Sequence, residues 1–210
     1  MKERILEETE RLFWKYGVRS VTMEDIAKQL GISKKTIYQH FADKEQILYE
    51  VLQDKIGKHQ SEMACAVVET TNPVEEIMNV LNMMQKNADQ ISPNLLIDIK
   101  RYYPQAFVLF RKFKEEHIMR SILENIKKGI DQGLYRADIN PDILARLRVE
   151  QIELAFDNDI FPTDQYTMHD IQYELMHHFI RGMLTDKGFT IYNQYVHLKN
   201  EFNLPLYEKK

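Results

Sequence analysis

A single cysteine, Cys65, leaves no partner for an internal disulfide and rules out a multi-cysteine zinc site in this chain of 210 residues. Its thiol is expected to face the core in a reducing cytoplasm. No apolar run approaches the roughly 20 residues that cross a bilayer. Met1-Lys2-Glu3-Arg4 leads straight into an amphipathic helix, so no secretory leader is expected. A soluble cytoplasmic protein without membrane contact follows. Signatures of catalysis are missing too: there is no HExxH, GxGxxG, GxSxG or phosphate-binding GxxxxGK loop. Asp157-Asn158-Asp159 lacks the alternation, central glycine and terminal glutamate of a calcium loop, and reads as a polar turn. His177 and His178 are neighbours on a helix and face different directions. His169 can share a face with His177, but two histidines two turns apart do not make a metal site. No enzyme, metal or cofactor is expected. Strand-like alternation flanked by turn residues is absent as well, which makes the fold class all-α.

What is present is concentrated in residues 22–41, TMEDIAKQLGISKKTIYQHF. Thr22 with Asp25 three residues on reads as a shortened capping box, and Val21 and Ile26 occupy the staple positions across it. Gly31 ends that helix. Ser33 then caps a second helix, with Ile32 and Ile37 in the same staple relation. Two helices joined by a short glycine-containing turn are the sequence form of a helix-turn-helix, whose second helix enters the DNA major groove in the DNA-binding version. With Ile37 and Phe41 buried at i, i+4, Lys35 and Gln39 point most directly outward, flanked by Thr36 and Tyr38, and Lys34 lies in the first turn. Residues 28–44 contain four lysines and one acid, a local charge of +3 in a chain of net charge −4. A basic patch on a mildly acidic protein is the electrostatic footprint of nucleic-acid contact.

Residues 1–49 resemble the N-terminal domain of the TetR family of bacterial transcriptional regulators. The resemblance rests on LFWKYGV (12–18) and on VTMEDIAKQLGISKKTIYQHFADKEQIL (21–48). It implies a three-helix DNA-binding domain over residues 1–49 and a helical effector-binding and dimerisation domain over 50–210. It also implies that Thr22, Thr36, Tyr38 and His40 lie at the DNA, that Lys44 reaches a phosphate, and that Lys34, Lys35 and Gln39 read bases. The expected function is a homodimeric, ligand-responsive regulator, a repressor released from operator DNA by a small molecule. The alternative is a helical adaptor that keeps the hairpin without binding an operator.

Beyond residue 49 the chain reads as helices with proline or polar punctuation. Asp43 caps a long helix, with Gln46 completing the pair. Pro73 opens another, with apolar residues at 77, 80, 81 and 84, and Pro104 separates the next two. Residues 105–132 read as one helix closed by Gly133, followed by helices at 141–156 and 168–184, a turn at KGFT (187–190) and a final helix. The resemblance implies that helices 141–156 and 168–184 pair with their copies in a four-helix bundle. Ile143, Leu147, Ile152, Ile171, Leu175 and Phe179 are the candidate interface. Methionines and aromatics suit an adaptable apolar pocket, here Met83, Met84, Tyr102, Tyr103, Phe107, Phe110 and Phe113, with Asn87, Arg101 or His117 as polar handles. An apolar or amphipathic effector is the expectation.

Overall fold

In the computed structural model, residues 1–201 are described apart from 69, 89–91 and 93; the side chains of 64–68, 85–88 and 197–201 are also outside the description. Cys65 and Asn87 therefore lie outside the described side chains. The described residues are helical throughout, with one isolated antiparallel bridge between Tyr135 and Leu184. The helices are α1 (Lys2–Tyr16), α2 (Met23–Leu30), α3 (Lys34–Tyr38), α4 (Lys44–Val68), α5 (Pro73–Ala88), α6 (Asn94–Tyr102), α7 (Pro104–Phe113), α8 (Met119–Asp131), α9 (Pro141–Leu154), α10 (Met168–Arg181) and α11 (Asp186–Glu201).

Local caps set most of these boundaries. Asp43 accepts the Gln46 N–H at 2.8 Å, and the Gln46 side chain reaches back to the Ala42 N–H at 2.7 Å. Asn72 accepts from Glu75 N–H, Asn140 from Asp142 and Ile143, and Thr167 from Asp170. Each satisfies N–H groups that the first turn leaves without partners. Pro73, Pro104 and Pro141 open their helices, where a missing N–H costs nothing. Gly133 follows α8 with φ of 68°.

Two sequence expectations change. Residues 105–132 are not one uniform α-helix, because a π-helical turn, Lys114–Ile118, joins α7 to α8. Its extra residue shifts the helical phase so that consecutive Phe113 and Lys114 are both buried. KGFT is the first turn of α11, not a loop. Thr185 Oγ1 accepts the Gly188 N–H at 3.2 Å, and a Cβ on Gly188 would stand 2.2 Å from the Leu134 carbonyl oxygen. That glycine serves close packing of helix on backbone rather than a turn.

Buried apolar residues fall into two clusters. The first joins α1–α3 to the start of α4 and includes Leu95, Ile99 and Ala106 from α6 and α7. The second gathers α5 and α8–α11 around Met78, Leu81, Ile126, Tyr135, Phe179 and Ile180. The α4 helix runs from the first cluster past residue 49 without a break. An open space lies between the clusters, lined by members of both.

Candidate nucleic-acid interface and central cavity

The turn between α2 and α3 is built as its residues imply. Thr22 Oγ1 accepts the Asp25 N–H at 3.2 Å, and the Asp25 carboxylate accepts the Thr22 N–H at 2.9 Å and its hydroxyl at 2.6 Å. Those hydrogen bonds, the hydroxyl's first, hold the Asp25 carboxyl below its usual pKa. Gly31 takes φ of 67°, and Ser33 Oγ accepts the Thr36 N–H at 3.1 Å. Ile37 and Phe41 are buried beneath the second helix. Lys34, Lys35, Tyr38 and Gln39 are exposed, and Thr36 and His40 are half-exposed on the same flank. The outward face is therefore the one deduced from periodicity. One partner lay outside the basic window: Lys34 pairs with Glu24 of α2 at 3.0 Å. Both groups are solvated, so the pair is worth under about 1 kcal/mol and leaves Lys34 able to exchange partners.

Lys44 departs from expectation. Its ammonium turns inward and donates to the carbonyl oxygens of Val18 (3.0 Å) and Val21 (2.8 Å), 5.7 Å from the centre of the Tyr103 ring. It clasps the loop between α1 and α2 to the start of α4, leaving one N–H for anything else. Lys44→Met is thus expected to cost about 1–2 kcal/mol of stability by stranding both carbonyls. Urea unfolding without DNA measures this, and an unchanged midpoint would show that the clasp is not held in solution.

The same loop is tied to α6. Asp98, itself buried, accepts the Arg19 N–H at 2.8 Å. The Arg19 guanidinium donates to Tyr102 Oη at 3.1 Å and lies 5.0 Å from that ring's centre. Gly17, with φ of 79°, lets Asp98 approach to 3.0 Å from the position a Cβ would take. Tyr102 and Tyr103, expected in a pocket, instead fasten the α6–α7 corner to the helix-turn-helix.

The space between the clusters is a cavity of about 1000 Å³. Met83, Met84, Phe110 and Phe113 line it as expected, joined by Trp14, Ile77, Met176 and Phe179. Tyr102, Tyr103, Phe107 and His117 do not. Phe107 packs on the first cluster, and His117 is exposed with its ring 5.9 Å from that of Phe113. Arg101 is exposed at the corner, 5.5 Å from the Tyr102 ring. Periodicity missed the polar lining, of which His59, Glu76, Arg148 and Gln172 are buried or half-buried members. Burial pushes His59 below its usual pKa and Glu76 above it. Burial alone lowers the Arg148 guanidinium to about 10. A charged residue on an inner helix face carries no signature in an apolar pattern, so these four had no signal except position.

The stripes read as a dimer surface divide. Ile143 and Leu147 of α9 are 62% and 50% exposed, two apolar side chains one turn apart on the surface. Ile152 and Phe179 instead line the cavity, Ile171 is buried, and Leu175 is half-buried. His177 is buried with its Nδ1 hydrogen-bonded to Tyr192 Oη, whereas His178 is exposed. His169, Tyr173 and His177 form a ring column along α10. Among the described residues no three metal-ligating side chains converge, and no helix is long and apolar enough to cross a membrane.

Residues 5–51 match the family described as bacterial regulatory proteins, tetR family. The N-terminal segment of the chain is that of the TetR family. It is 27% identical over 190 residues to the HTH-type transcriptional regulator YvaF of Bacillus subtilis, covering 89% of this chain and 97% of that protein. It is 23% identical over 145 residues to the HTH-type transcriptional repressor KstR2 of Mycobacterium tuberculosis, covering 68% and 72%. In fold it is similar to a transcriptional regulator of Saccharomonospora viridis solved in complex with choline, with a TM-score of 0.74 at 20% identity over 88% of this chain and 97% of that one. These likenesses support a DNA-binding transcriptional regulator of the TetR type, with a helix-turn-helix at its N-terminal end and a helical remainder.

Proposed function

We propose that this protein is a homodimeric repressor of the TetR type, released from its operator by a small molecule that enters the central cavity. One observation carries the reading: the cavity is walled by α4 and α6, the two helices that hold the helix-turn-helix in place. Leu52, Ile56 and His59 of α4 and Leu95, Leu96 and Ile99 of α6 all face it. The reading is consistent with relatives whose names record a repressor and a choline complex. Residues 1–49 form the DNA-binding domain, and 50–210 supply the effector site and the dimer contacts. The protein acts in the bacterial cytoplasm, on the nucleoid when bound to DNA, and regulates without catalysing a reaction.

Lys34, Lys35 and Gln39 read base edges, while Thr22, Thr36, Tyr38 and His40 hold the helix against the backbone. In a dimer the two α3 helices must stand about 34–36 Å apart, one turn of DNA, or a multiple of that. A ligand that favours another tilt of α4 and α6 alters that spacing through the Lys44 clasp and the Asp98–Arg19 contact. It weakens operator binding only by the ratio of its affinities for the two arrangements. The test is reciprocal: a bound effector lowers operator affinity, and bound operator lowers effector affinity by the same factor. An effector that occupies the cavity without changing operator affinity would sink the proposal.

A further inference from the structure

Arg148 projects from the inner face of α9 into the cavity wall and is only 2% exposed. Its one hydrogen bond among the described residues runs from Nη1 to Gln151 Oε1 at 3.3 Å, and its guanidinium lies 5.9 Å from the centre of the Phe179 ring. No carboxylate among the described residues stands within ion-pair distance of it. A buried cation without a counter-ion is costly, and an apolar side chain of similar volume would serve the fold better. The other cations lining the cavity are not buried: Arg11 pairs with Glu8 at 2.5 Å, Lys55 with Glu10 at 3.1 Å, and Lys15 is exposed, 5.1 Å from the centre of the Tyr16 ring. The buried acid of the lining, Glu76, is engaged with Asn125 and lies in the field of Lys128. Among the described residues a second buried polar end also lacks a mate: Gln172 Oε1 has no hydrogen-bond partner there, and its Nε2 reaches only Met168 Sδ, at 3.8 Å.

We infer that the cavity takes a small amphipathic carboxylate, its anionic end bound by Arg148 and its apolar body lying along Met83, Met84, Phe110 and Phe113. This rests on the reading of the cavity as the effector site and names the chemistry that site selects. A planar guanidinium meets a carboxylate through two parallel N–H bonds, and burial strengthens both. One buried cation suits one negative charge. A phosphate dianion would call for a second buried cation, and Arg11, Lys15 and Lys55 are exposed or half-buried. An ester offers Arg148 only a neutral acceptor, and a quaternary ammonium offers it none and repels it.

Trp14, the only tryptophan of the chain, lines the cavity and reports occupancy by its fluorescence. The test titrates the full-length protein with dodecanoate, dodecanol and dodecyltrimethylammonium, for wild type and Arg148→Met. Dodecanoate is expected to bind wild type about 10–100-fold more tightly than dodecanol, the ratio that hydrogen bonds to a charged group supply. In Arg148→Met the preference should vanish while dodecanol binding persists. Dodecanoate should raise the melting temperature of wild type only, and the ligand-free variant should melt no lower than wild type. If the variant does not fold, the wild-type comparison decides alone. Equal binding of dodecanol, tighter binding of the ammonium, or a preference that survives Arg148→Met would overturn the inference. So would a failure of every straight-chain carboxylate from octanoate to oleate to perturb Trp14 or the melting temperature. Operator binding is followed in parallel. Arg148-dependent carboxylate binding without operator release would contradict the release mechanism and leave this assignment standing. Release by a neutral ligand, indifferent to Arg148, would do the reverse.

Discussion

Leu147→Glu is expected to yield a folded monomer that no longer holds its operator. Leu147 and Ile143 stand one turn apart on α9, half or more exposed, while their neighbours Ala145, Arg148 and Val149 point inward. A glutamate at this outward position leaves the buried core of the protomer untouched. In a two-fold dimer it places two uncompensated carboxylates in the interface. Burying them costs at least about 4 kcal/mol, about a thousandfold in the dimer constant. Operator affinity then falls to that of a single half-site. Sedimentation and circular dichroism of the variant check this together, and a well-folded dimer would show that α9 faces solvent by this surface. The equivalent change at Phe179 or Ile152 would not be diagnostic, since those side chains line the cavity.

Glu153→Gln is expected to cost about 2 kcal/mol or more near neutral pH, because it strips a buried lysine of its best partner. The Lys114 ammonium, in the π-helical turn, is almost fully buried between Glu153 and Glu150 of α9, and Lys100 of α6 reaches Glu153 at 3.2 Å. Glu150 is mostly solvated and cannot replace Glu153. Burial alone would raise the Glu153 carboxyl, but hydrogen bonds from Lys114 and Lys100 outweigh it and hold the group below its ordinary value. A carboxyl depressed in the folded state stabilises above its unfolded pKa, about 4.3, and loses that contribution as pH falls through the folded value. The gap between wild type and variant should therefore be full near pH 7 and close below about pH 4. Urea midpoints across that range measure it; a gap that persists in acid would mean the loss is one of packing, not charge. The brace also joins α6, which holds the reading head, to α9, so the variant should respond to effector less sharply.

These two sites show where sequence stops being sufficient. The caps at Thr22, Ser33 and Asp43, the left-handed Gly31 and the outward set of α3 were legible because each depends on residues within a turn of one another. Pro73 and Pro141 marked helix starts, and Pro104 a boundary between helices, for the same reason. Lys44 and Tyr102 were misplaced because their partners, the Val18 and Val21 carbonyls and Arg19, lie 23 to 83 residues away. Gly188 looked like a turn residue because its close neighbour, the Leu134 carbonyl, is also remote. Of the cavity, the methionines and phenylalanines were readable as apolar content. Arg148 was not, since a charge on an α9 face reads as solvated until the fold closes over it.

If the exposed face of α3 and its C-cap read DNA sequence, as proposed, selection of binding sites from random duplex DNA at fixed salt will register it. Wild type is expected to enrich a two-fold symmetric motif with half-sites about one helical turn apart, or a multiple of that. The Lys35 side chain suits the acceptor edge of guanine, and Gln39 suits the paired donor and acceptor of adenine. Alanine at either is expected to cost about 1–3 kcal/mol on the wild-type motif and to relax preference at one base position per half-site. No enriched motif for wild type, or the same motif at full strength for both Lys35→Ala and Gln39→Ala, would mean that this face does not read the bases.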